Sequence, residues 1–320
     1  MINHILVPLD ESILAECVLP HVLTLAMGMQ AKVTLLHVLE MPQTADKQVI
    51  DPLEWHLKKN ESEEYLQQVA SKLQQHNLAV EASIMEGIPA RLIVDYATQN
   101  DVDLIALSSH GRSGLSGWNI SSVVQKIVLR SFKSILLVRA YMAGDKPLEE
   151  IRYRRLFVGL DFSTRAEYIL PVAVSLAQFN DAELSIGMVI RKPEILHRFP
   201  LSTEQNNLIQ EIADGNYRAA SHYFDQLQSR LSLQGVKVHT HLVVKDNLVT
   251  ALHDMVELEN PDLVMLVAHG QAGENRWPYG SIASSFIAHG TSSLLMLQDL
   301  SGDEIKRTEA EIAAREIKGH

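Results

Sequence analysis

Laid on itself with a shift of 151 residues, this sequence repeats. Ile5-Leu6-Val7-Pro8-Leu9-Asp10 meets Leu156-Phe157-Val158-Gly159-Leu160-Asp161, Ser12 meets Ser163, and Leu19-Pro20 meets Leu170-Pro171. Further on the shift becomes 159: Asp103-Leu104-Ile105 meets Asp262-Leu263-Val264, His110-Gly111 meets His269-Gly270, and Ser134-Ile135-Leu136-Leu137 meets Ser293-Leu294-Leu295-Met296. A period this long is not that of a solenoid, so each copy must bury its own core as a domain. The reading is a first domain at 1–142, a linker at 143–152 carrying Gly, Pro and charge, a second domain at 153–300 and a tail at 301–320.

Within a copy, apolar strand-sized runs alternate with helical patterns. HILVPLD reads as a strand, and KVTLLHV, LAVEASIM, DVDLIALSS and KSILLVRA as four more. Between the first two, Ile13, Leu14, Cys17, Val18, Val22 and Leu25 form a stripe with a helical period. Pro89 sits where a helix begins, a position at which its missing N–H costs nothing. The second copy repeats the order, with a long helix around Glu204–Leu233 and the strand VKVHTHLVV. Strands separated by helices need crossover connections. The predicted fold is therefore α/β: two tandem doubly wound domains, each a five-stranded, mainly parallel sheet with helices on both faces.

Composition narrows the function. The formal net charge is −11, which disfavours non-specific binding to phosphate backbones and to anionic membranes. No apolar run approaches the length of a membrane span, and MINHILVPLD enters a strand pattern without a leader-like segment. The expectation is a cytoplasmic protein that binds neither nucleic acid nor membrane. Cys17 lies in an apolar helix stripe and reads as an inert core thiol. His239 and His241 share a strand face, but two ligands do not make a metal site.

Ligands of open parallel sheets bind beyond the carboxyl ends of the strands, at the switch point. Asp10 and Asp161 end the first strand of each copy and can accept hydrogen bonds from a base or ribose; the plainer alternative is a helix cap. The loop Ser108, His110, Gly111, Arg112, Gly114 is small enough for close backbone approach to a phosphate. Ser121-Ser122 and Gly280-Ser281 open helices whose N–H groups suit an anion, or else simply cap them.

These residues resemble a pattern of the universal stress protein family: Gly, two residues, Gly, nine residues, then Gly-Ser or Gly-Thr. Copy one reads Ser108, two residues, Gly111, nine residues, Ser121-Ser122; copy two reads Val267, two residues, Gly270, nine residues, Gly280-Ser281. The resemblance implies an adenine nucleotide alpha hydrolase-like fold. It also implies ATP or AMP binding through Asp10, Val38, Ser108, His110, Gly111, Arg112, Gly114, Ser121, Ser122 and Val123 in copy one. The counterparts in copy two are Asp161, Val189, Gly270, Gly280, Ser281 and Ile282. No metal is expected apart from a magnesium ion accompanying the nucleotide. Copy one departs from the pattern by two serines and adds the charge of Arg112, while copy two carries the bulkier Val267 and lacks the GxPA turn; this ranks copy one ahead. No nucleophile and base pair emerges, so the function expected is stress response through conformation or unknown protein partners. The alternatives are a scaffold without nucleotide and a slow ATP hydrolase of the same fold group.

Two further expectations concern assembly. Ser301 followed by Glu304 is a capping-box pattern, predicting a helix over 302–317. The last strand of each copy, 134–139 and 293–298, is an apolar edge without proline. Family members commonly dimerise through this strand, so the two are expected to pair antiparallel and make one chain a pseudo-dimer. A homodimer through other surfaces stays open.

Overall fold

The computed structural model describes residues 2–40, 51–112, 114, 120–140, 151–191, 202–270, 278–300 and 303–305. In the first half the order is β1 (His4–Pro8), α1 (Ile13–Glu16), α2 (Leu19–Met29), β2 (Lys32–Leu39), α3 (Pro52–Gln74), β3 (Val80–Glu86), α4 (Pro89–Gln99), β4 (Leu104–Ser108), α5 (Ser122–Arg130) and β5 (Ser134–Val138). The second half runs β6 (Arg155–Leu160), a 3-10 turn (Ala166–Ile169), α6 (Leu170–Asn180), β7 (Glu183–Ile190), α7 (Thr203–Ser232), β8 (Lys237–Val244), α8 (Leu248–Glu259), β9 (Leu263–Val267), α9 (Ser281–His289) and β10 (Ser293–Leu297).

Local chemistry sets several of these boundaries. Asp51 caps α3 by accepting from Leu53 N at 2.9 Å, with Pro52 just inside the helix. A capping box between Ser202 and Gln205 starts α7. The first helical stripe is corrected by the structure. It is two helices, broken at Cys17–Val18, because Pro20 has no N–H to give the carbonyl of Glu16 and instead opens α2. Ile13, expected on the buried stripe, is 81% exposed.

Sheet order is β3-β2-β1-β4-β5-β10-β9-β6-β7-β8. Each half is parallel, with β1 between β2 and β4, and β6 between β7 and β9. The halves join where β5 and β10 pair antiparallel, Leu136 opposite Leu295 and Leu137 opposite Leu294. The expected pairing of final strands is therefore present, and the two sheets form one sheet of ten strands.

Helices cover both faces. On one face α2, α3, α6 and α7 pack over a core that runs through both halves, from Leu25, Leu35 and Leu66 to Leu176, Ile186 and Phe224. On the other, α4, α5, α8 and α9 cover Leu6, Ile105, Ile127, Phe157, Leu266 and Phe286. Fully burying a side chain of this size contributes about 1.5–3 kcal/mol, which holds strands buried on both faces. The halves also touch outside the sheet: Thr24 donates to Ile151 O at 3.0 Å, and His21 Nδ1 lies 2.8 Å from the Tyr153 hydroxyl.

Most of the linker expected at 143–152 lies outside the described residues. Of the tail, Asp303–Ile305 form a helical turn and Glu304 ion-pairs with Arg165; the rest of the helix expected over 302–317 lies outside the described residues. No helix among the described residues is long and apolar enough to cross a membrane.

Candidate functional site

Both copies build the same turn after their first strand. Asp10 Oδ1 accepts from Ser12 N at 3.2 Å and Ser12 Oγ at 2.6 Å; Asp161 Oδ1 accepts from Ser163 N at 3.0 Å and Ser163 Oγ at 2.6 Å. The residue between, Glu11 or Phe162, adopts a left-handed backbone with φ of 65° or 67°. That conformation is uncommon for such side chains and is sustained here by the closed Asp–Ser turn. The second oxygen of each aspartate lies against the glycine of the His-Gly pair. A Cβ on Gly111 would overlap Asp10 Oδ2, and one on Gly270 would overlap Asp161 Oδ2. These glycines are required by the carboxylate, before any ligand is considered.

The remaining loop is pinned in parallel fashion. Ser121 N donates to Ser109 O and Gly280 N to Ala268 O, both at 2.8 Å, fixing the start of α5 and α9 beside the ends of β4 and β9. Ser121 accepts from Val124 N at 3.3 Å, so this serine caps its helix; Gly280 provides no side-chain cap for α9. Gly114 closes a turn onto Gly111 O at 2.8 Å with φ of 74°, which glycine adopts without cost. Ser108 is buried, accepting from Cys17 Sγ at 3.4 Å, and burial pushes the Cys17 thiol pKa up.

In copy one the structure brings Asp10, Gly111 and Arg112 together, but spends their polar groups on each other. Arg112 N donates to Asp10 Oδ2 at 2.6 Å, and the Arg112 guanidinium donates to Glu11 Oε2 at 2.6 Å. Glu11 also accepts from Ser62 Oγ and faces His37 Nε2 at 3.5 Å. The positive charge that ranked copy one ahead is thus matched by a carboxylate from its own loop. Val38 and Val123 pack along the same sheet face, and Ser122 begins α5.

In copy two all six expected residues, Asp161, Val189, Gly270, Gly280, Ser281 and Ile282, line one cavity of about 1530 Å³. It opens at the carboxyl ends of β6 and β9, the switch point of that half. Sequence reasoning missed much of its wall. Phe162, Leu248, Leu252, Leu266 and Tyr279 make it largely apolar, and Val128 and Leu129 reach it from α5 of the other half. Asp246 and Arg191 add one charge of each sign. An apolar residue directly after Asp161, in a loop otherwise polar, was a legible signal; the contribution of Leu129 had none. At the cavity wall, His269 Nδ1 lies 2.9 Å from Asp299 Oδ1, whose other oxygen is 3.5 Å from Arg165 Nη1.

His239 and His241 lie on the β8 edge and each faces a carboxylate, Glu183 at 3.9 Å and Glu259 at 3.3 Å. Among the described residues, no group of three His, Cys, Asp or Glu side chains is placed to hold a metal.

A parallel doubly wound sheet in each half, with a pocket at the switch point of the second, fits the adenine nucleotide alpha hydrolase-like class. The sequence model of the universal stress protein family matches residues 1–139 and again 152–298, and the chain belongs to that family. Universal stress protein YxiE of Bacillus subtilis is 30% identical over 149 residues, 43% of this chain and 100% of that protein. Universal stress protein MJ0577 of Methanocaldococcus jannaschii is 28% identical over 155 residues, 43% of this chain and 96% of the relative. Among solved structures, a universal stress protein from Archaeoglobus fulgidus aligns over 94% of this chain and 97% of its own, with TM-score 0.64 at 18% identity. The functionally unknown protein PA1789 from Pseudomonas aeruginosa aligns over 98% of both chains, with TM-score 0.66 at 14% identity. Both share the fold.

Proposed function

We propose that this chain is a cytoplasmic stress-response protein that binds an adenine nucleotide in the cavity of its second half. One observation carries the reading: the six residues expected from the family pattern in that half, scattered from Asp161 to Ile282 in sequence, line a single cavity. Its α9 end supplies backbone N–H groups with positive dipole character, suited to a phosphate. Its apolar walls suit a base and its Asp161 end a ribose. Among the described residues the charged lining is Asp161, Asp246 and Arg191, a net deficit of positive charge that favours a monophosphate such as AMP over bare ATP. With no group of metal ligands among the described residues, a magnesium ion would arrive held by the nucleotide's own phosphates.

Copy one takes the scaffold reading, because the Arg112 guanidinium that ranked it ahead is already engaged by Glu11. Isothermal calorimetry with AMP and with magnesium-ATP tests the proposal. One site per chain is expected, AMP the tighter ligand without metal. Absence of heat with either at millimolar concentration would overturn it.

A further inference from the structure

The cavity lies in the second half, yet the first half reaches its wall or the α9 region beside it at three places. Leu129, on α5, lines it while 53% exposed, so this side chain faces the cavity rather than filling a core. Tyr279, one residue before the cap of α9, is buried and donates its hydroxyl to Lys133 O at 2.7 Å, across the junction between the halves. Arg139, at the end of β5, is 0% exposed. Its guanidinium donates to Phe286 O at 2.7 Å and Ile287 O at 3.1 Å, the last carbonyls of α9. Phe286 O also accepts from Gly290 N at 2.9 Å, and a cation at the carboxyl end of a helix stabilises it. A fourth link is indirect: Ser134 Oγ accepts from Gln298 N at 3.1 Å, and Gln298 Nε2 donates to Pro278 O at 3.0 Å, beside Tyr279.

The bracing runs one way. With the shift of 159, Tyr279 corresponds to Ile120, which has no hydroxyl; Arg139 corresponds to Gln298, whose side chain bonds within its own half; and Leu129 corresponds to Ala288. A symmetric pairing would brace α5 and α9 alike. Here the side chains are placed to hold α9.

We propose that the second-half cavity is a composite site: the first half supplies one wall through Leu129 and fixes α9 at both ends through the Lys133 carbonyl and Arg139. The first half thereby sets how well the second binds. Arg139 is a positioning residue, acting through α9; Tyr279 both lines the cavity and holds α9, and Leu129 touches the ligand. The affinity consequence rests on the nucleotide reading; the bracing of α9 does not.

The test uses the full chain with Leu129→Ala, Tyr279→Phe and a control, Leu258→Ala, which is 82% exposed on α8 and lies away from the cavity wall. Two readouts are taken. Amide exchange is followed at 282–287 and, for comparison, in β6 to β8. AMP affinity is measured by calorimetry. Tyr279→Phe is expected to speed exchange about fivefold or more at 282–287 while β7 amides change less, as loss of one buried hydrogen bond at that site implies. A purely global destabilisation would move both sets together and would overturn the proposal. Leu129→Ala is expected to weaken AMP about threefold to tenfold, with unchanged exchange, and the control to match the parent. If AMP binds and both variants stay within about twofold of the parent, with α9 exchange unchanged, the composite site is wrong. If the parent binds no AMP, the nucleotide reading falls, and α9 exchange in Tyr279→Phe alone upholds or overturns the bracing.

Discussion

Gly111 and Gly270 illustrate how one residue type answers to different physics. The approach that matters is the aspartate behind the loop, so a side chain there strikes a carboxylate before it meets a ligand. Gly270→Val should destabilise the chain by about 1–3 kcal/mol, an overpacking cost, and abolish AMP binding; urea unfolding and calorimetry measure the two. Gly114→Ala is the contrast. A Cβ there meets nothing within 4 Å, but φ is 74°, so the cost should stay near 1 kcal/mol from backbone strain alone. His4 gives a pH signature. Its ring contacts Thr34 Oγ1 at 2.8 Å and Asn100 O at 3.1 Å, and burial, aided by Lys32, lowers its pKa from 6.5. The folded chain then binds fewer protons than the unfolded one between the lowered pKa and 6.5. Stability from this group is present above that window and is lost as pH falls through it. Urea midpoints should drop between pH of about 7.5 and 5.5, and His4→Gln should flatten that slope.

At the scale of elements, the final strands settle how the copies meet. Ile135, Leu136 and Leu137 each face a residue of β10 while β4 flanks them on the other side, so β5 has no open edge. Leu136→Pro takes an N–H from a strand paired on both sides and should uncouple the halves, read as loss of the compact scattering profile or as two separated unfolding transitions. The strand was legible as an apolar edge without proline. Its partner came from the family's habit of dimerising there, since an edge pattern says that pairing will occur and not with what. The first helix shows the opposite limit. Its periodic stripe suggested one helix, but periodicity cannot register that Pro20 breaks the run of backbone donors.

For the whole molecule, one core runs through both halves on each face of a single sheet. Duplication in sequence therefore need not mean independence in unfolding. Differential scanning calorimetry should show one cooperative transition for the intact chain rather than two. The Leu136→Pro variant is the internal comparison.

The partner of β5 came from the family resemblance; the sequence by itself determined the repeat, the alternation of strands and helices, and the parallel doubly wound class. Each rests on local pattern: period, turn residues, and a register held over 151 or 159 positions. Tertiary structure decided what surrounds each loop. The ranking from sequence compared loop bulk and charge one residue at a time, and on that scale Arg112 favoured copy one. Folding placed Glu11 within 2.6 Å of that guanidinium and drew Leu129, from 32 positions before Asp161, into the wall of the other half's cavity. Charge neutralisation and cavity shape are set by residues far apart in the chain, and no local pattern carries them.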